Sequence, residues 1–235
     1  MSGRFSNKVA LVTGGTGGLG RAASLAFLQE GARVAVTFRR QEEFDALQKS
    51  AGSQASSVTG YDVDVTNDAA VEKLVAGILA GQQRLDMFVN TVGGYKAGMK
   101  LWEQDPKVLD QMLLLNLRSG YALVRAVVPA MLKQGAGAIV NIAAKAALDP
   151  PAGAAAYAAS KAAAIAMMNS LAADLTGTGV RVNSILPSLF DTELNRKAMP
   201  DADFAKWPKP EDIARVILFL CSEDAKLVHG TSIPL

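Results

Sequence analysis

The chain has 235 residues, half of them hydrophobic and 20% charged, with 24 basic side chains against 22 acidic ones; this is enough apolar material for one domain with a sizeable core. A formal charge of +2 gives no electrostatic pull toward a phosphate backbone or an anionic bilayer, which argues against nucleic acid and membrane as partners and leaves a small-molecule substrate. One cysteine, Cys221, and one histidine, His229, exclude an intramolecular disulfide and offer no zinc-ligand spacing, so no metal is expected.

In chain order, the only apolar run before the first glycines is Val9 to Val12, too short for a signal-peptide core or a membrane span. The expected location is the cytoplasm. Short aliphatic or β-branched runs then alternate with longer alanine- and leucine-rich stretches, the order of βαβ units around a parallel sheet. Strands are expected at Lys8–Thr13, Arg33–Phe38, Ser57–Tyr61, Leu85–Asn90, Ala138–Ile142 and Val180–Leu186. Helices are expected near Gly20–Glu30, Glu42–Ser50, Asp68–Ala80, Pro106–Lys133, Ala154–Leu175 and Pro210–Cys221. No repeat or polar linker divides the chain, so residues 1–235 read as a single domain, a doubly wound α/β sandwich of three layers. Two segments lack periodicity, Thr91 to Asp105 and Ser188 to Trp207. Both follow a strand's carboxyl end, where ligands bind in open α/β sheets, and both are longer than ordinary connections.

Directly after the first strand stands Thr13-Gly14-Gly15-Thr16-Gly17-Gly18-Leu19-Gly20, followed by a helical pattern. Glycines let a backbone approach a pyrophosphate, and a helix start offers it unpaired N–H groups. At the end of the second strand, where an acidic residue commonly holds the ribose of NAD, the chain reads Thr37-Phe38-Arg39-Arg40. Two guanidiniums suit a 2′-phosphate and favour NADP(H) over NAD(H); the first carboxylates, Glu42 and Glu43, fall in the next helix. His229 is expected to be a turn residue before a short last strand, and Cys221 a small buried apolar group.

The glycine spacing, together with Tyr157-Ala158-Ala159-Ser160-Lys161, resembles the short-chain dehydrogenase/reductase family over nearly the whole chain. Further matches are Asp64-Val65-Thr66, similar to the family's adenine contact; Asn90-Thr91-Val92-Gly93; Asn116 within the long fourth helix; and Pro187 to Thr192, spanning Phe190. The resemblance implies a Rossmann fold. Its implied nucleotide contacts are Gly14, Thr16, Gly18, Leu19, Gly20, Arg39, Arg40, Asp64, Val65, Asn90, Gly93, Tyr157, Lys161, Pro187, Phe190 and Thr192. Tyr157 and Lys161 share one helix face, one turn apart. Tyr157 is implied as proton donor, its phenol pKa lowered by the Lys161 ammonium, with Asn116 holding a water that links Lys161 to solvent. Family members assemble as homodimers or homotetramers through their long fourth and fifth helices.

One departure bears on the substrate. Where the family has a serine thirteen residues before the tyrosine, this chain has Ala144, and losing one oxyanion donor costs about 10²–10³ in turnover. Ala144 to Asp149, the segment Asn195 to Phe204 with Trp207, and Val92-Gly93-Gly94-Tyr95 are similar to dihydropteridine reductases, which also lack that serine and reduce flat quinonoid dihydropterins. Tyr95 and Trp207 are the candidates to stack on such a ring. Asp174 to Val182 and Pro210 to Cys221 look more like bacterial ketone and 3-oxoacyl reductases. The readings are therefore an NADP(H)-dependent reductase of a dihydropterin, a carbonyl or 3-oxoacyl reductase, and a non-catalytic nucleotide-binding regulator.

Overall fold

The computed structural model describes residues 3–235. In chain order it contains β1 (Val9–Thr13), α1 (Gly18–Gln29), β2 (Arg33–Phe38), α2 (Gln41–Ala51), β3 (Val58–Asp62), α3 (Asp68–Gln82), β4 (Met87–Asn90), α4 (Pro106–Leu113), α5 (Ser119–Gln134), β5 (Gly137–Ile142), α6 (Ala155–Asp174), β6 (Val180–Leu186), α7 (Glu193–Ala198), α8 (Pro210–Cys221) and β7 (Ser232–Pro234). The strands form one parallel sheet of order β3-β2-β1-β4-β5-β6-β7. The winding reverses between β1 and β4, and that switch point opens a crevice at the strands' carboxyl ends.

Both faces of the sheet are covered, which is why β1 is buried at every position. Val12, Val36, Val89 and Val140 pack on one side with Phe27 of α1 and Ile217 of α8. Leu11, Phe88 and Ile139 pack on the other with Ile78, Leu123 and Met168 from α3, α5 and α6. This is the Rossmann-like arrangement expected. No helix among the described residues is long and apolar enough to cross a membrane.

Near the carboxyl ends the second face turns polar. Thr13, Asn90, Asn141, Ser184 and Ser232 are paired neighbour to neighbour across β1, β4, β5, β6 and β7. Thr13 Oγ1 donates to Asn90 Oδ1 at 2.9 Å, and Asn90 Nδ2 donates to Asn141 Oδ1 at 3.1 Å. The Asn90 side chain is thereby committed to its neighbours, so whatever this residue offers a nucleotide comes from its backbone.

Three features differ from the sequence reading. The stretch from Pro106 onward is broken by a π-helical turn, Leu114–Arg118, with the buried Asn116 at its centre. The segment after β6 contains α7, a six-residue helix that buries no side chain and so has no apolar face to announce it. His229 does more than occupy a turn: its Nδ1 accepts the Val182 N–H at 3.2 Å and its Nε2 lies 2.8 Å from the Ala172 carbonyl, so the ring braces β6 against α6. Cys221 is buried as expected, and burial pushes its thiol up to about 12.

Candidate active site

The turn from β1 into α1 is shaped by contacts that leave no room for side chains. Gly14 has φ +66°, in the left-handed region, and its N–H donates to Thr37 Oγ1 at 2.9 Å. A Cβ on Gly20 would fall 2.1 Å from the Gly14 carbonyl oxygen. Helix α1 begins at Gly17 with no side-chain cap and no acidic residue in its first turn, leaving its first N–H groups to an anion. Beside it lies a cleft of about 270 Å³ lined by Gly14, Thr16, Thr37, Arg39, Asp64 and Gly93, among others. A backbone cradle, open helix N–H groups and a cleft at the switch point together fit a dinucleotide.

At the adenosine end, Arg39 Nη1 stands 3.5 Å from Asp64 Oδ1. The Asp64 carboxylate accepts the Thr66 N–H at 3.0 Å and its hydroxyl at 2.7 Å, and these bonds hold its pKa below the ordinary value. Val65 is buried and lines the same cleft. Arg40 stands immediately before α2, where its side chain makes no cap bond and pairs with Glu43 one turn on. Glu43, which the sequence placed outside the site, reaches back to accept the Thr16 hydroxyl at 3.0 Å and lines the cleft. Of the expected pair of free guanidiniums, Arg39 lines the cleft paired with Asp64, and Arg40 is paired with Glu43. The signal was available in the three-residue spacing of Arg40 and Glu43, a salt-bridge distance on a helix.

The catalytic candidates come together at the ends of β4 and β5. Lys161 is buried on α6, and its Nζ donates to the Ile142 carbonyl at 2.9 Å. Asn116, turned inward by the π turn, pairs with both backbone groups of Gly94: Gly94 N–H donates to Oδ1 at 2.8 Å and Nδ2 donates to the Gly94 carbonyl at 3.0 Å. The same Nδ2 reaches Ser160 Oγ at 2.9 Å, and Ser160 donates to the Tyr157 carbonyl at 2.7 Å. The Asn116 amide protons are therefore spent on holding the loop after β4, a structural job beside the water-holding one expected of it. Gly93 sits between the partners: a Cβ there would lie 2.8 Å from Asn116 Oδ1 and 3.1 Å from Lys161 Nζ.

The electrostatics correct one expectation. The phenol of Tyr157 is not lowered by Lys161 in this state; burial, with a smaller contribution from the neighbouring Tyr95 phenol, pushes it up to about 12. Burial likewise pulls the Lys161 ammonium down to about 8, because its hydrogen bond goes to a carbonyl and not to a carboxylate. Since an unfolded lysine titrates near 10.4, the unfolded chain binds more protons than the folded one between about pH 8 and 10.4. Stability contributed at this site therefore rises with pH across that window and is least below it. Lys161→Met is expected to stabilise the protein at pH 7 by up to about 3 kcal/mol and to flatten that rise, while turnover collapses. Thermal unfolding of both proteins between pH 7 and 10 checks it, and unchanged curves would refute it.

The segment after β6 closes the cleft from above. Pro187 is buried and its carbonyl accepts the Lys145 N–H at 3.0 Å. Thr192 caps α7, accepting the Asn195 N–H at 3.2 Å, and its methyl group abuts Gly18, where a Cβ would meet Thr192 Cγ2 at 2.8 Å. The segment is latched by Asp191, whose carboxylate takes Arg196 Nε at 2.5 Å, Arg196 Nη2 at 2.7 Å and Lys209 Nζ at 2.5 Å. Two of the expected contacts have their side chains in the core. Phe190 packs on the hydrophobic core beneath, and Leu19 is buried in that same core at the start of α1. Trp207, half-buried, packs on Phe204 at 5.0 Å, and Phe204 lies under the Arg196 guanidinium, so one face of the indole is taken up within its own segment. The ring that meets Tyr157 is Tyr95, edge to face with centroids 4.8 Å apart. Ala144 is 6% exposed and brings no hydroxyl to the site.

Comparison with known proteins adds to this geometry. The family model for short chain dehydrogenases matches residues 8–203. The 3-oxoacyl-(acyl-carrier-protein) reductase FabG of Thermotoga maritima is 32% identical, over 97% of this chain and 95% of its own length. Among solved structures, a xylitol dehydrogenase with NAD⁺ bound superposes with a TM-score of 0.91 at 25% identity, covering 99% of this chain and 98% of that one. ElxO with NADP bound superposes equally well, with a TM-score of 0.91 at 26% identity over 97% of this chain and 96% of that one.

Proposed function

The chain belongs to the short-chain dehydrogenase family and is an NAD(P)-dependent oxidoreductase, and from that premise we propose that it is an NADP(H)-dependent reductase with Tyr157 as proton donor. The observation that carries the reading is the placement of Tyr157 and Lys161 one turn apart on α6, with Gly93 leaving bare the approach to the ammonium. When bound, a nicotinamide supplies hydride to the substrate carbon. Tyr157 gives its proton to the oxygen or nitrogen that receives the displaced electron pair. Lys161, with one N–H held by the Ile142 carbonyl, has two left, for the phenol oxygen and a ribose hydroxyl. An approaching ribose and phenolate would also restore the ammonium's hydrogen bonding in a buried place.

The substrate class that fits best is a flat, electron-poor ring of the quinonoid dihydropterin kind. Ala144 offers no hydroxyl to a simple ketone, and the exposed Tyr95 ring stands beside Tyr157 to receive a planar partner. A carbonyl or 3-oxoacyl reductase is the second reading, favoured by the activity in the name of the Thermotoga maritima relative. A panel of quinonoid dihydropterin, quinones, ketones and 3-oxoacyl esters with both cofactors separates the two, and fast turnover of the esters without any of the pterin would overturn the first.

NADP(H) preference rests on Arg39, with Glu43 opposing it. Arg39→Ala is expected to cost about 10–100-fold in kcat/KM for NADPH and little for NADH, the scale of one charge-assisted hydrogen bond. Glu43→Gln is expected to shift the ratio toward NADPH; no change in the ratio with either variant would refute the assignment. Assembly as a homodimer or homotetramer belongs to the same reading. Helices α4, α5 and α6 frame an apolar groove that includes Leu114, Tyr121 and Met167, with Leu114 and Tyr121 exposed.

A further inference from the structure

The loop between β4 and α4 carries an aromatic residue that is exposed yet held on an immobilised backbone. Tyr95 is 68% exposed. The residue before it, Gly94, has both its N–H and its carbonyl bonded to Asn116, and a Cβ on Gly94 would strike Leu115 Cδ1 at 2.8 Å. Beyond it, the Gly98 N–H donates to the Gly153 carbonyl at 3.1 Å, pinning the loop to the segment that precedes α6. Asn116 also bonds Ser160, which bonds the Tyr157 carbonyl. One buried polar network therefore sets the backbone on both sides of a pair of tyrosines whose rings meet edge to face. A fixed backbone limits where the Tyr95 ring can stand, and a donor whose position is set before charge develops needs less reorganisation at the moment of reaction.

We propose that the Tyr95 hydroxyl is a second catalytic group, donating a hydrogen bond to the substrate oxygen or nitrogen that Tyr157 protonates and so supplying the kind of donor that Ala144 lacks. The inference rests on Tyr157 being the acid. Hydride adds to the substrate carbon, the π electrons move to the heteroatom, Tyr157 releases its proton there, and Tyr95 keeps its own proton throughout. The division of labour follows from placement: Tyr157 shares α6 with Lys161, one turn away, whereas Tyr95 stands on the loop after β4 with its ring edge to face against Tyr157. The same arrangement makes the chain independent of a serine at position 144.

The test compares Tyr95→Phe, Tyr95→Ala and the double variant Tyr95→Phe with Ala144→Ser, on whichever compound of the substrate panel the wild type reduces fastest. Tyr95→Phe keeps the ring and is expected to lower kcat by on the order of 10²-fold with substrate KM within about threefold. Adding Ala144→Ser to it should recover at least about tenfold, a larger gain than the same serine gives the wild-type chain. If Tyr95→Phe stays within about twofold of wild type and only Tyr95→Ala is impaired, Tyr95 packs and does not donate, and the proposal fails. A loss on Tyr95→Phe that appears in KM alone, or that the serine does not relieve, overturns it equally. Tyr157→Phe is run beside them: if it retains turnover, the reading of Tyr157 as acid falls, whereas its inactivity together with an unimpaired Tyr95→Phe removes the Tyr95 role alone.

Discussion

Tyr157→Phe is expected to lower turnover by roughly 10³-fold while leaving dinucleotide affinity within about twofold of wild type. The phenol is the group placed to give up a proton, and phenylalanine keeps the ring that packs against Tyr95 while removing the hydroxyl. Lys161, one turn further along α6, does not substitute in this reading, because with one N–H held by the Ile142 carbonyl of β5 it acts on the substrate through the phenol that the variant lacks. The backbone is untouched, since Ser160 bonds the carbonyl of residue 157 and not its side chain. Single-turnover reduction followed by loss of nicotinamide absorbance, with affinity measured separately by tryptophan fluorescence, checks both halves. Turnover at the wild-type rate would refute the assignment, and a matching loss of affinity would recast Tyr157 as a binding group.

Gly20→Ala is expected to weaken dinucleotide binding by more than about 10²-fold and to lower the melting temperature by several degrees. The added methyl would lie 2.1 Å from the Gly14 carbonyl oxygen and 2.8 Å from the Gly14 carbonyl carbon and Thr91 Oγ1. Two of these are backbone atoms that cannot swing aside. The helix must therefore move off the turn. Overpacking of this kind costs about 1–3 kcal/mol, which for a chain of this size is roughly 2–12 °C. Moving α1 also drags its open N–H groups away from the phosphate position, so affinity falls further than stability. Calorimetric titration with both cofactors decides it; wild-type affinity in a protein that melts normally would show that the turn is softer than its packing implies.

Much of this site was legible in the chain. The strands could be placed to within two residues because sandwiched strands are apolar on both faces, and the glycine turn announced itself by standing between a strand and a helix. Tyr157, Lys161 and Asn116 were legible through the resemblance to the short-chain dehydrogenase/reductase family, with the one-turn spacing and the asparagine inside a helix giving that resemblance a physical basis. What escaped notice depends on packing between elements distant in sequence. Glu43 reaches Thr16 only because α2 lies over the glycine turn. Nothing in the spacing of Tyr157 and Lys161 reveals that both are desolvated, which reverses the expected direction of the phenol's shift. Trp207 offered the same chemistry as Tyr95 on paper, and only the fold shows that it faces Phe204. Of the π turn only Asn116 left a trace, because hydrophobic residues continue through it on both sides.

The row Thr13, Asn90, Asn141, Ser184 and Ser232 has a consequence for how the chain finds this structure. A strand that docked one residue out of step would turn its amide or hydroxyl toward the valines and isoleucines of the opposite layer and bring a hydrocarbon side chain into the row instead. Stranding a buried polar group among hydrocarbons costs about 1–3 kcal/mol. The row therefore favours a single alignment of each strand pair, and it aligns the strand tips on which the catalytic loops are mounted.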